Sequence, residues 1–332
     1  DLRGSQGTFS YWTTEPGVRK NVQGGSIIGV QEQGGKISTV LSGPSVTQDG
    51  ERGELTVPFA ITINKERKLV ELHVQGETVT LRENEWSGWL PVSFRAGLFS
   101  KLAGICRFYL KSVEPHFALY GSPINFSPEN PPYPISFPKD YARELASAIG
   151  DFHTQGMPED TWALNEGRLD EDSFLEHCRT IYREREAMLH YEMARFQKGV
   201  LVVVFDTVDR IQHMFWRTID KEHPLYTEDL QARYGNVIEN WYREVDELLG
   251  KVMGTIDDNT VLLVLSDHGF APFRRAVHLN TWLRQHGYLR LKENREEGRG
   301  YGQDIDWAHT RAYALGIGGV YLNLKGREPQ GI

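Results

Sequence analysis

The stretch Thr260–Phe270, TVLLVLSDHGF, decides the fold. Its apolar run Val261–Leu265 ends on Ser266, Asp267 and His268, and Gly269 permits a sharp turn just after them. An apolar run of this length, rich in Val and Leu and bounded by turn residues, suits a strand buried on both faces, as in a parallel sheet. Upstream, Val200–Phe205 (VLVVVF) repeats the pattern and ends on Asp206. Between the two runs, Tyr234, Ile238, Trp241, Val245, Leu248 and Val252 recur at three-to-four spacing and predict a helix. A longer helix precedes them, with Leu175, Cys178, Tyr182, Leu189, Met193 and Phe196 on one face. Asp170 and Glu171 load its start, and Lys198 with Gly199 marks its end. A shorter helix is expected around LNTWLRQHGYL. Strand and helix in alternation, with all-apolar strands, predict an α/β core whose mainly parallel sheet is flanked by helices.

The first third reads differently. ELTVPFAITI alternates Leu55, Val57, Phe59, Ile61 and Ile63 against smaller or polar neighbours, the period of a half-buried strand. Further short strands follow between Gly, Asn and Pro punctuation, so residues 26–128 are expected to form a β-rich module with antiparallel sheet. Five prolines between Pro128 and Pro138 preclude regular structure there, while Ile124, Phe126, Tyr133, Ile135 and Phe137 anchor the passage. The expected division is an opening segment at 1–25, an inserted β-rich module at 26–128, and an α/β metal-binding core at 129–332.

The 332 residues, 39% hydrophobic and 25% charged, suffice for a sizeable core. A net charge of −8 disfavours a nucleic-acid partner, although an ion can supply positive charge locally for a small anionic substrate. No apolar run approaches the length of a membrane span, and no secretory signal opens the chain. Of the two cysteines, Cys106 and Cys178, the second sits in the apolar spacing of the long helix and reads as a buried free thiol, which fits a reducing compartment, and a cytoplasmic location is expected.

Parallel sheets bind ligands beyond the carboxyl ends of their strands. Asp206, Asp209 and His213 follow the first apolar run, and Asp267 and His268 follow the second. Asp209 and His213 are four apart, hence on one face of a helix. Carboxylate and imidazole ligands without sulfur suit Zn or Mn. Asp206 reads equally as a helix cap or supporting residue around the metal and as a further metal ligand. Taken together, Asp209, His213, Asp267 and His268 predict a metal site, because such a cluster is costly to assemble without an ion.

VDRIQH followed by SDHGF resembles the paired metal-binding motifs of the alkaline phosphatase superfamily, in particular the type I phosphodiesterase/nucleotide pyrophosphatase branch. GTFSYWTTEPG and RAYALGIGGVYLNLKGRE also resemble stretches of that branch. The resemblance implies an alkaline-phosphatase-like core, two divalent ions and a small phosphorylated substrate. Asp209 and His213 would hold the ion that activates water, and Asp267 and His268 the ion beside the nucleophile. It also implies a Thr or Ser nucleophile on an earlier strand and a later His ligand. Thr8, Thr13 and Thr14 follow no apolar strand, and no nucleophile is assigned among them. His278 and His309 read as structural residues, and Arg274 and Arg275 as solvated ones. The expectation is therefore an internal portion of a longer phosphohydrolase. The alternatives are a non-catalytic binding module with an incomplete site, or a sulfatase- or phosphomutase-type relative. Trp86 and Trp89 are expected to pack in the core or a hairpin rather than form a sugar platform, and GIGGVYLN lacks the Lys-Ser/Thr of a phosphate loop.

Overall fold

A computed structural model of the chain describes residues 7–18, 21–48, 51–95, 101–293, 295–316 and 318–332. Residues 1–6, 19 and 20 of the expected opening segment, 49, 50 and 96–100 of the β-rich module, and Ile317 of the Gly-rich stretch lie outside the described residues. The chain divides into two compact units, Asp1–Asp267 and His268–Ile332.

The first unit opens with β1 (Phe9–Thr13), β2 (Asn21–Val22) and β3 (Gly25–Gly29). An antiparallel meander follows: β4 (Lys36–Gln48), β5 (Glu51–Asn64), β6 (Leu69–Val74) and β7 (Glu77–Arg82), in that spatial order. The alternation read in β5 is realised, since Val57, Phe59, Ile61 and Ile63 are all buried. Val74 pairs with Glu77 across a two-residue loop in which both Gln75 (φ 50°) and Gly76 (φ 97°) take positive φ. That is the type I′ geometry matching strand twist, and Gly at the second position adopts it without strain.

Six more strands complete the β layers: β8 (Glu85–Trp86), β9 (Leu90–Arg95), β10 (Lys101–Cys106), β11 (Phe108–Ser112), β12 (Ala118–Gly121) and β13 (Asn125–Phe126). The order β2-β3-β1-β12-β11-β8 builds a sheet that is antiparallel except between β1 and β3. Both of its faces are buried. Trp12, Phe108, Leu110 and Leu119 join the meander's Ile37, Phe59, Ile61 and Leu72 in one core. Phe9, Tyr11, Tyr109 and Tyr120 face the other way, into the helices.

Those helices are α1 (Tyr141–Ile149), α2 (Thr161–Asn165), α3 (Glu171–Met193), α4 (Thr207–Phe215), α5 (Glu228–Tyr234) and α6 (Val237–Met253). Helix α3 begins at a capping box in which Asp170 accepts from the Ser173 amide at 2.9 Å. It ends at Met193, short of the expected Lys198 and Gly199. Phe174, Cys178 and Tyr182 of α3, Ile211 and Phe215 of α4, and Trp241 and Leu248 of α6 fill the core against the sheet. Each such side chain contributes ~1.5–3 kcal/mol by leaving water.

One expectation is corrected. The runs Val200–Phe205 and Val261–Leu265 carry no strand ladder among the described residues. Val200 is 88% exposed, Val202 75%, Leu263 72% and Leu265 86%, the reverse of double burial. The physical reason is that an apolar run is buried as a central strand only when strands flank it on both edges, and no described strand pairs with either run. The helices instead cover the antiparallel sheet of the amino-terminal third. The chain remains a mixed α/β protein of several sheets and helices.

The second unit contains α7 (Leu279–Gln285) and the hairpin β14 (Ala312–Leu315) and β15 (Gly319–Leu322), with Leu283, Leu289, Ile305 and Ala312 as its core. Among the described residues, no helix is long and apolar enough to cross a membrane. Cys106 and Cys178 are free and buried, and burial pushes the Cys106 thiol up to about 12.

Candidate metal centre

Helix α4 positions the first pair of predicted ligands. Its turn spacing brings Asp209 Oδ1 and His213 Nε2 to 3.4 Å. Asp209 lies in the first turn and His213 in the last, so both complement the helix dipole when charged. Asp209 also accepts from Arg210 Nη1 through Oδ2, at 2.6 Å. The His213 side chain is half exposed, whereas that of Asp209 is mostly covered.

Asp206 occupies the position before α4 in helical backbone and makes no side-chain capping hydrogen bond. Its Oδ1 is buried with no hydrogen-bond partner. The capping role is therefore not taken up. A buried carboxylate oxygen left in this state is costly unless a cation or proton serves it.

Two further acids, in Pro158–Glu159–Asp160, escaped the sequence reading. Glu159 is fully buried and accepts from Thr207 Oγ1 at 2.7 Å, which ties its loop to the first turn of α4. Burial first, then the nearby Asp206 carboxylate, push Glu159 up to about 7. Asp160 accepts from the Ala163 amide at 2.9 Å, capping α2, and from the Tyr120 hydroxyl of β12 at 2.6 Å. Burial pushes Asp160 up to about 6. The loop thereby fastens α4 and α2 to the central sheet. Acids before a helix read as caps, and Asp160 is one; Glu159 had no periodic signal to mark it as buried.

Asp267 closes the first unit and His268 opens the second, and both are exposed. His268 Nδ1 stands 3.0 Å from the Gly269 carbonyl, and its ring lies 5.5 Å from that of Phe270. The structure thus brings Asp209 and His213 together. Among the described residues, no group of three or more His, Cys, Asp or Glu could hold a metal ion. Of the remaining histidines considered, His278 stands at the start of α7 without a capping hydrogen bond, and His309 Nδ1 lies 2.7 Å from Asp306 Oδ2. Arg274 and Arg275 are exposed. Trp86 is buried, donates to the Ser173 carbonyl at 3.2 Å and stacks on His177, and Trp89 packs on His153.

The model of the type I phosphodiesterase/nucleotide pyrophosphatase family matches residues 112–330. The chain belongs to this family. No curated protein and no solved structure matched it. As a type I phosphodiesterase family member it falls in a branch of the alkaline phosphatase superfamily, whose chemistry is phosphoester hydrolysis on small phosphorylated substrates. The match spans Asp206, Asp209, His213, Asp267 and His268, and it begins at Ser112, after the meander.

The α4 pair fits a divalent ion. Two ligand atoms about 2.1 Å from a tetrahedral ion stand about 3.4 Å apart. That is the Asp209–His213 separation, and the donors are the oxygen and nitrogen that Zn or Mn accept. The partnerless Asp206 Oδ1 one turn away adds an anionic group that a cation would offset.

Proposed function

We propose that the chain carries the metal-binding residues of a metal-dependent phosphodiesterase or nucleotide pyrophosphatase acting by two-metal in-line phosphoryl transfer. The observation that carries the reading is the 3.4 Å Asp209–His213 pair on α4, within the family match. Asp209 and His213 would hold one divalent ion and Asp267 and His268 the other, with Zn or Mn the metals this donor set suits. Bound there, the ions would supply Lewis-acid stabilisation of phosphoryl charge. The chain's own residues orient the ligands. Arg210 holds one oxygen of Asp209, Thr207 anchors the start of α4 on Glu159, and Asp206 adds negative charge behind the pair. The β-rich module at 26–128 is proposed as an inserted cap, a reading supported by its antiparallel meander β4-β5-β6-β7 lying before the start of the family match. The two free thiols support a cytoplasmic setting.

A second reading, a binding module with an incomplete site, is favoured by one observation: no three-residue ligand group forms among the described residues. Elemental analysis after exhaustive dialysis separates the two. The first reading expects close to two equivalents of Zn or Mn, and Asp209→Asn and Asp267→Asn each remove about one. Hydrolysis of bis(p-nitrophenyl) phosphate should be metal-dependent and fall at least ~100-fold in either variant. Metal content and hydrolysis unchanged by both substitutions would refute the assignment.

A further inference from the structure

We propose that a hollow between α1, α3 and the proline-rich passage 128–138 binds a small monocarboxylate with an apolar body. The hollow shares no residue with the α4 pair and is independent of the phosphohydrolase reading. It lies within the first unit and measures roughly 250 Å³. An apolar cavity of ~150 Å³ takes up benzene, so an aromatic ring with a head group fits.

Much of the wall is hydrocarbon. Ile135 comes from the proline-rich passage, Leu145 from α1, Phe152 from the segment after it and Met188 from α3. Leu145 and Phe152 are buried in one small cluster, against which Met188 packs. The hydroxyls in the wall already donate to protein acceptors. Ser136 donates to the Pro138 carbonyl, Tyr141 to Glu192 Oε1 and Thr154 to the Phe126 carbonyl, each at 2.9 Å.

Arg185 differs from these. Its Nη1 makes a weak contact with Met188 Sδ at 3.6 Å, and no acid pairs with it among the described residues. The acids beside it in sequence are engaged elsewhere, Glu184 with His153 at 2.8 Å and Glu186 with His190 at 3.6 Å and Lys251 at 3.4 Å. A guanidinium offers five N–H groups in a planar fork that matches a carboxylate. No Asp or Glu lines the hollow among the described residues, so a bound carboxylate meets no like charge in its wall. His153 also lines it, 3% exposed, with Nδ1 on Glu184 and a buried Nε2 that has no hydrogen-bond partner. A buried nitrogen in that state calls for a polar partner. One uncommitted cation set among hydrocarbon selects a single carboxylate, because a second charged group on the ligand would lie desolvated against Leu145 and Phe152.

The test is calorimetric titration of the 332-residue chain with benzoate, in EDTA so that no ion on α4 can hold the carboxylate. Benzoate should bind saturably, and Arg185→Gln should weaken it about tenfold or more. Benzamide, which keeps the ring and loses the charge, should bind the parent at least about tenfold more weakly. Acetate, which keeps the charge and loses the ring, should do the same. The benzamide and acetate comparisons use the parent alone, so they stand even if the variant fails to fold. No saturable benzoate binding up to ~10 mM overturns the proposal. Equal affinity for benzamide or acetate, or undiminished benzoate binding by a folded Arg185→Gln chain, overturns it as well.

Discussion

Asp160 is the residue whose replacement should most clearly alter how stability depends on pH. Its carboxyl lies fully buried between the Tyr120 hydroxyl and the Ala163 amide, and burial raises it from 3.8 to about 6. A raised carboxyl binds its proton more tightly in the folded chain. Its contribution is complete below pH 3.8 and is lost as pH rises through 6. The full loss is about 3 kcal/mol, at 1.36 kcal/mol for each pH unit between the two values. Roughly half of this falls between pH 5 and 7.5. Asp160→Asn keeps an acceptor for the helix cap, turns an amide donor toward the Tyr120 hydroxyl in place of the second oxygen, and stays neutral throughout. Urea unfolding followed by far-UV circular dichroism at pH 5, 6 and 7.5 should show the variant gaining on the parent by about that amount. Tyr120→Phe removes a hydrogen bond that lowers Asp160, so it should move the window to higher pH. Parallel pH profiles for parent and Asp160→Asn would refute the reasoning, because they would mean that Asp160 takes up no proton on folding in this range.

Two further outcomes test the fold. Ile61→Ala in β5, at a fully buried position facing the central sheet, should cost about 2–5 kcal/mol, read as a lower urea midpoint; a loss under 1 kcal/mol would contradict the meander core. Val202→Ser combined with Leu263→Ser should change stability by no more than about 0.5 kcal/mol per site and reduce binding of an apolar dye. A large drop in stability would show that the two runs are covered in solution.

The elements readable from sequence were those whose information is local. In β5, apolar residues at every second position state which face is buried, and the structure buries that face. In α3 and α6, three-to-four spacing states which stripe faces the core, and Cys178, Tyr182, Trp241 and Leu248 lie there. What these helices cover was not local. Val200–Phe205 and Val261–Leu265 have the composition of central strands, but composition specifies only the surroundings a strand suits. Its partners are supplied by segments distant in the chain. The sheet that α3, α4 and α6 cover is the one carrying Phe9, Tyr11, Tyr109 and Tyr120. Those residues alternate with Trp12, Phe108, Leu110 and Leu119, which are buried on the opposite face. With both faces apolar, the strands of that sheet lose the polar alternation that would reveal a half-buried sheet.

The same distinction governs the metal centre. Asp209 and His213 could be paired from their spacing, because one helical turn fixes their separation whatever surrounds them. Asp267 and His268 follow a strand-like run, and convergence on α4 depends on how that run is paired, which neighbouring residues do not encode. Glu159 shows the converse. It reaches α4 through Thr207 across 48 positions of sequence, and only the folded chain places its carboxyl behind Asp206. The Asp209–His213 separation is therefore fixed by the helix itself, while the placement of the acids around it depends on tertiary packing. Metal content in Asp209→Asn and in Asp267→Asn consequently probes two different things, helix geometry in the first and strand pairing in the second.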